Sequence, residues 1–70
     1  MVERRRFPPP WRVEERTESF IVYDDKGQAL AYVYFEDEPQ RQMSMKRLGR
    51  DEARRIAANI AKLPELLRKH

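Results

Sequence analysis

The pattern of apolar and polar positions predicts three β-strands followed by one helix. Residues 11–15 alternate, with Trp11 and Val13 separated by a charged residue, as expected of a half-buried strand. Residues 19–24 hold four consecutive β-forming residues, and residues 29–36 begin with seven apolar positions. We therefore predict strands at about residues 11–15, 19–24 and 29–36. The long apolar run is typical of a strand covered on both faces, so we expect this of the third strand.

The segment Asp24-Asp25-Lys26-Gly27 predicts a tight turn between the second and third strands. Aspartate at the first position and glycine at the fourth favour a type I turn closed by a left-handed glycine. A three-residue loop with a glycine bulge then places Asp24 opposite Gln28. This turn fixes the register of the whole hairpin unless the pairing slips by one residue.

In the register that follows from this turn, Ile21 lies opposite Ala31 and Phe20 lies opposite Tyr32. Side chains alternate between the two faces of a sheet, so every second residue shares a face. A slip of one residue would exchange these partners. The predicted register gives one apolar face as a candidate interaction surface, which consists of Phe20, Val22, Leu30, Tyr32 and Tyr34.

The C-terminal part of the chain predicts an amphipathic helix at about residues 50–63. Gly49 is placed to cap it, and Asp51 and Glu52 suit the positive end of the helix dipole. Pro64 ends this helix or begins a short one. Apolar residues at steps of three and four form one stripe, which consists of Ala53, Ile56, Ala57, Ile60 and Leu63.

The segment between the third strand and this helix gives no single prediction. Three acidic residues and Pro39 end the strand. Residues 40–48 fit either a short helix or a loop, since Met43, Met45 and Leu48 make an irregular apolar stripe.

The predicted fold class is α+β, with a three-stranded antiparallel meander packed on one main C-terminal helix in two layers. Because alanine side chains are small, we expect the alanine-rich side of the helix to pack closely on Ala31 and Val33. Residues 1–10, with arginines at positions 4–6 and prolines at positions 8–10, predict an extended tail. Residues 11–70 then form a single domain, since 70 residues allow only one.

Composition argues against catalysis and against metal binding. The chain has no cysteine, and its only histidine is His70 at the C-terminus. Two glycines do not make a phosphate-binding loop, and neither serine has a nearby base in the sequence. We therefore expect no enzyme activity, no catalytic residue, no cofactor and no metal site.

No apolar segment approaches the roughly 20 residues that a membrane-spanning helix needs. The arginines at positions 4–6 are followed by prolines and not by the apolar region of a signal peptide. The sequence therefore predicts a cytoplasmic protein that does not bind membranes.

Two functional interpretations stay open, and the first is a small binding or protein-interaction module that associates with itself. Its basis is the second apolar face of the sheet, which the helix does not cover. That face is covered either within the chain, by the N-terminal arm or the C-terminal leucines, or by a second copy in a homodimer.

The alternative is a nucleic-acid-binding domain. The net charge is only +3, but basic residues cluster before and within the helix. The acidic residues at the strand ends oppose phosphate binding. The candidate contacts, together with the arginines at positions 4–6, are Arg47, Arg50, Arg54 and Arg55.

Three segments carry a resemblance to other proteins: RRFPPPWRVEE, GQALAYVYFEDEP and RDEARRIAANIAKLPELL, at residues 5–15, 27–39 and 50–67. Over more than half of its length the chain resembles a group of short alphaproteobacterial proteins with no assigned function. The resemblance implies a standalone bacterial cytoplasmic domain. It implies no activity, ligand or catalytic residue.

Overall fold

The computed structural model describes residues 7–67, and within this range the chain forms three strands and three helices. The predicted α+β class is confirmed, with antiparallel strands in the order β1-β2-β3 and a main helix on one face of the sheet. The elements are β1 Arg12–Glu15, β2 Ser19–Tyr23, β3 Ala29–Tyr34, α1 Pro39–Ser44, α2 Arg50–Ala61 and α3 Leu63–Leu66.

Helix α2 contacts all three strands and forms the core with them. Two of its alanines, Ala53 and Ala57, are fully buried, and their small side chains allow the helix to approach the sheet closely. Ile56, also in the predicted stripe, is partly exposed at the side of the helix. The buried core cluster consists of Phe20, Val22, Val33, Phe35, Ala53 and Ala57.

The turn between β2 and β3 has the predicted form. Gly27 has φ +90° and its N–H donates to the Asp24 carbonyl at 3.1 Å. The buried Asp24 carboxylate accepts from the backbone N–H groups of Lys26 at 2.9 Å and Gln28 at 2.8 Å. The Asp24 N–H donates to the Gln28 carbonyl at 2.9 Å, so these two residues face each other as predicted.

Beyond the turn, the predicted register is wrong by one residue. The prediction placed Phe20 opposite Tyr32 and Ile21 opposite Ala31. In the structure Phe20 pairs with Val33, and Ile21 pairs with Tyr32.

A β-bulge near the start of β3 causes this difference. Tyr23 pairs with Ala29 and Val22 pairs with Ala31, so Leu30 is an extra residue without a partner on β2. An extra residue moves every later side chain of its strand to the opposite face. The bulge therefore decides which residues of β3 face the helix.

The bulge also corrects the predicted interaction surface. Phe20 and Val22 are 2% and 0% exposed and belong to the core under α2, so they do not share a face with Tyr32 and Tyr34. The expectation that the third strand is covered on both faces is wrong as well, because Tyr32 and Tyr34 are 55% and 54% exposed. The central strand β2 is the one that is buried along most of its length.

Residues 40–48, for which helix and loop were both open, form a short helix and a turn. Helix α1 begins after Glu38, whose carboxylate accepts from the Arg41 N–H at 2.9 Å. Pro39 stands in its first turn, where a missing N–H costs no hydrogen bond. The chain leaves α1 through Lys46, which has φ +54°. The helix contributes no buried residue.

Helix α2 begins as predicted, with Gly49 as its N-cap. The Gly49 N–H donates to the Glu52 carboxylate at 2.8 Å, and its carbonyl accepts from the Ala53 N–H at 2.9 Å. The helix ends at Ala61, and Pro64 lies in the first turn of α3.

Part of the predicted tail packs on the domain. The indole N–H of Trp11 donates to the Phe7 carbonyl at 3.1 Å, and the Asp25 N–H donates to the Pro8 carbonyl at 2.9 Å. Residues 1–6 of the predicted tail, with their three arginines, and residues 68–70 lie outside the described residues. No helix within residues 7–67 has the length and apolar character that crossing a membrane requires.

Candidate interaction surface at the edge of the sheet

The sheet face opposite α2 exposes two aromatic rings side by side. Tyr32 and Tyr34 are two residues apart on β3 and so point to the same face. Their ring centroids are 6.2 Å apart, with 14° between the ring planes. Ile21, the pairing partner of Tyr32 on β2, is buried on this face. We call Ile21, Tyr32 and Tyr34 the tyrosine face.

The backbone of the same two tyrosines points away from the sheet. Just beyond β3, the Phe35 N–H donates to the Glu18 carbonyl at 3.0 Å, so this directly opposed pair is hydrogen bonded. Hydrogen-bonded residues alternate along an antiparallel strand, which makes Val33 the next residue bonded to β2. The N–H and C=O groups of Tyr32 and Tyr34 therefore face outward. We call these outward groups the β3 edge.

The β3 edge is open over a limited length. At its C-terminal end the Glu36 N–H donates to the Leu48 carbonyl at 2.8 Å, so the loop before α2 covers this position. Within residues 7–67, no backbone hydrogen bond outside the ladders involves Tyr32 or Tyr34. Strand β3 also contains no charged residue and no proline, the usual features that prevent a sheet edge from pairing.

The opposite edge strand, β1, carries charges on the same face. The Glu14 carboxylate lies 3.0 Å from the Arg16 guanidinium and 3.8 Å from that of Arg12. The Arg12 guanidinium is 4.8 Å from the centre of the Tyr23 ring. Arg16 donates to the Tyr23 hydroxyl at 3.2 Å, and this hydrogen bond raises the pKa of its guanidinium. Charged groups therefore surround the aromatic ring at the β1 side.

Leu30, the fifth residue of the predicted interaction surface, lies in a different environment. As the bulge residue it lines a shallow groove between the sheet, the C-terminal end of α2 and the first residue of α3, with Trp11, Ile60 and Leu63. The structure thus divides the five predicted residues among the core, this groove and the tyrosine face.

Three of the four arginines proposed to contact nucleic acid are held by carboxylates. Arg50 forms a two-pronged contact with Asp37, with Nε–Oδ1 and Nη2–Oδ2 distances of 3.3 and 2.8 Å. Its guanidinium also pairs with Glu15 and lies 4.6 Å from the centre of the Phe35 ring. Arg50 therefore connects β1, the end of β3 and the start of α2.

On the solvent side of α2, Asp51 lies 2.6 Å from the guanidinium of Arg54 and 2.6 Å from that of Arg55. The hydrogen bond from Arg54 and the charge of Arg55 lower the pKa of the Asp51 carboxyl. Arg47 forms no ion pair with any other residue in the part of the chain that the structure describes. The predicted contacts thus do not form one free basic patch there.

The described residues offer no metal centre. Within residues 7–67 no three acidic, histidine or cysteine side chains lie close enough together to hold a metal ion. The expectation that the protein is not an enzyme stays a prediction.

Sequence reasoning missed the outward direction of the Tyr32 and Tyr34 backbone groups, and it placed Ile21 on the opposite face of the sheet. The apolar composition of β3 pointed to Tyr32 and Tyr34, but the orientation of their backbone depends on the bulge. No residue type specifies a bulge at Leu30, so no signal in the sequence could have located it.

Comparison with models of protein families, with curated proteins and with solved structures gave no match in any of the three. The resemblance to a group of alphaproteobacterial proteins thus stays a prediction. Function must be argued from the geometry of the chain itself.

Proposed function

We propose that this protein is a small binding module that recognises a polypeptide in extended conformation at the β3 edge. The observation that carries the proposal is that Tyr32 and Tyr34 present exposed rings and outward backbone groups at the same place. A bound strand would pair with the backbone of β3, and its side chains would contact the tyrosine face.

The backbone groups of the β3 edge and the side chains of the tyrosine face have distinct physical roles in binding. Backbone hydrogen bonds to an added strand provide affinity with little dependence on sequence, whereas contacts of alternate side chains provide specificity. Tyrosine is enriched at the energetic centres of interfaces, because a rigid ring buries much area and its hydroxyl still bonds to water or a partner. The preformed stack of two rings reduces the side-chain ordering that binding requires.

The nucleic-acid interpretation has less support from the geometry. A phosphate contact would have to compete with Asp37 and Glu15 for Arg50, and with Asp51 for Arg54 and Arg55. Of the four candidate arginines only Arg47 has no carboxylate partner within the described residues. One such cation attracts phosphates weakly, since recognition of a duplex uses several cations on one face.

Selection of peptides from a random displayed library, with the full chain as bait, tests the proposal. Peptides bound at the β3 edge should shift the amide resonances of Tyr32 and Tyr34. Tyr34→Lys should weaken their binding about tenfold or more, because it removes an aromatic contact and places a charge at the edge.

Met43→Lys is the matched control, since it also replaces a large exposed side chain by lysine, on α1 and away from the sheet. It should leave the affinity unchanged. Peptides whose affinity survives Tyr34→Lys would show that the binding surface lies elsewhere.

A further inference from the structure

We infer that helix α2 covers the second face of a strand bound at the β3 edge, so that the recognised polypeptide carries an apolar residue where it faces the helix. This inference rests on the proposed function, because it specifies which polypeptide the β3 edge accepts. The observation that carries it is an apolar side of α2 that the sheet leaves half-exposed.

This side of α2 carries Ile56 and Ile60, which are one turn apart and so lie next to each other. Ile60 lines the groove with Leu30 and Ala31 at the start of β3, so this side of the helix lies toward β3. Ala61, on the other side of the helix, lines a separate recess with Pro10, close to the start of β1. We call Ile56 and Ile60 the α2 flank.

The exposure of the α2 flank shows that three strands do not cover the whole apolar stripe of the helix. Ala53 and Ala57 are fully buried against the sheet, whereas Ile56 is 41% exposed. Leu63, which continues the stripe after Ile60, is 37% exposed. Neighbouring strands lie about 4.8 Å apart, so a strand added at the β3 edge extends the sheet toward the α2 flank.

The alternation of side chains along an added strand determines which of its residues meets the helix. Residues opposite Tyr32 and Tyr34 point to the tyrosine face, because directly opposed residues share a face. The residue between these two points to the other face, as Val33 does, and Val33 is buried under α2. We call this residue of the polypeptide the central residue. It would contact the α2 flank.

The surroundings of the α2 flank favour an apolar central residue. None of the described residues that line the groove is charged. The Glu52 carboxylate, one turn before Ile56, already accepts from the Gly49 N–H at 2.8 Å. A polar or charged central residue would therefore lose its hydration without gaining a partner. Valine and isoleucine fit best, since they are apolar and favour the extended conformation.

The peptides selected with the full chain as bait test this inference through their sequences and affinities. Their central residue, identified by nuclear Overhauser contacts to the methyl groups of Ile56, should be apolar. Ile56→Lys should weaken the binding of these peptides about tenfold, because it replaces an apolar contact by a charge. Lysine is a good helix former and Ile56 is exposed, so the fold should be kept. Met43→Lys is again the control and should leave the affinity unchanged.

A second selection, with the Ile56→Lys variant as bait, separates direct contact from an indirect effect on the fold. Its peptides should carry aspartate or glutamate as the central residue, since a carboxylate pairs with the new ammonium group. A residue that only supports the fold would lower the affinity of all peptides without changing the residue selected. Ile56→Ala provides a milder variant, and it should weaken binding about threefold.

Two results would overturn the inference and leave the proposed function intact. One is a set of peptides that depend on Tyr34 but carry charged central residues with the wild-type bait. The other is binding that depends on Tyr34 and is unchanged in both Ile56→Lys and Ile56→Ala. Peptides whose affinity survives Tyr34→Lys would overturn the proposed function itself, and the inference with it.

Discussion

The two faces of the sheet each carry a pair of aromatic residues, and the pairs differ in burial. Under α2, the rings of Phe20 and Phe35 lie 5.3 Å apart, tilted by 43°, and are almost fully buried. On the tyrosine face, Tyr32 and Tyr34 form a comparable ring contact in the open. The comparison teaches that aromatic content does not distinguish a buried core from an exposed face of the sheet. Coverage by α2 separates them.

The bulge at Leu30 assigns each ring of β3 to its face. Without the extra residue, the predicted register would place Tyr32 and Tyr34 on the same face as Phe20 and Val22. With it, Val33 and Phe35 join the core, and the polar hydroxyl groups of the tyrosines stay in water. Burying two hydroxyl groups without partners would be costly, so the bulged register is physically the better one.

The largest expected effect is a difference in folding stability between a variant of the buried aromatic pair and a variant of the exposed pair. Phe20→Ala should lower the free energy of unfolding by about 3–5 kcal/mol, because it leaves a cavity in the core. This is close to the whole stability of so small a domain, so the variant should be largely unfolded. Tyr34→Ala should cost less than about 1 kcal/mol, since its ring is mostly exposed.

Urea unfolding followed by circular dichroism, at low protein concentration, would measure both variants. A loss for Tyr34→Ala as large as that for Phe20→Ala would contradict the comparison. It would mean that the tyrosine face is covered in solution.

An intermediate effect is expected at the turn that begins the bulged strand. Gly27→Ala should cost about 1–2 kcal/mol, because an L-residue is strained in the left-handed region. Space is not the cause, since an added Cβ at Gly27 meets no atom within 4 Å.

Gly49→Ala is the matched control. Its Cβ would lie 2.6 Å from Nε2 of Gln42, which is the end of a flexible side chain, and its φ of −77° suits any residue. We expect a cost below about 1 kcal/mol from the less favourable cap. Equal losses for the two variants in the same urea experiment would show that backbone strain at Gly27 does not govern the turn.

The fold was largely predictable because its signals are local. Alternation, the Asp-Asp-Lys-Gly turn and the helical stripe each depend on a few neighbouring residues, and the strands, the turn and Gly49 as the cap are where they were predicted. The faces of the hairpin were not predictable, because one inserted residue moves all later side chains to the other face. A one-residue slip was an open alternative, but neither its direction nor its pairs could be specified, because nothing in the sequence selects them.

The candidate surface was predictable only in part, for the same reason. Tyr32 and Tyr34 stand out as aromatic residues in an apolar strand. The outward direction of their backbone groups depends on which residues of β3 form hydrogen bonds to β2, and the sequence does not show this. The ion pairs of Arg50 with Glu15 and Asp37 join residues far apart in the chain. No periodicity could have indicated these pairs.

The smallest expected effect concerns Asp51, whose carboxylate is shared by Arg54 and Arg55. Its pKa in the folded protein is lowered, so its stabilising contribution is present above the ordinary pKa and is lost as the pH falls through the lowered value. An NMR titration of the carboxyl carbon should give a midpoint below the usual 3.8. Arg54→Met should raise that midpoint, and a midpoint unchanged by this variant would show that the ion pair does not form in solution.

The same carboxyl carbon tests whether the charged side of α2 differs functionally from the tyrosine face. A duplex that binds through Arg54 and Arg55 must draw both guanidinium groups away from Asp51, which would move the carboxyl resonance at neutral pH and low salt. Because both guanidinium groups are already paired with the Asp51 carboxylate, we expect the resonance to stay in place. A shift that disappears by about 200 mM salt would indicate non-specific phosphate contact, and one that persists would favour nucleic-acid recognition by α2.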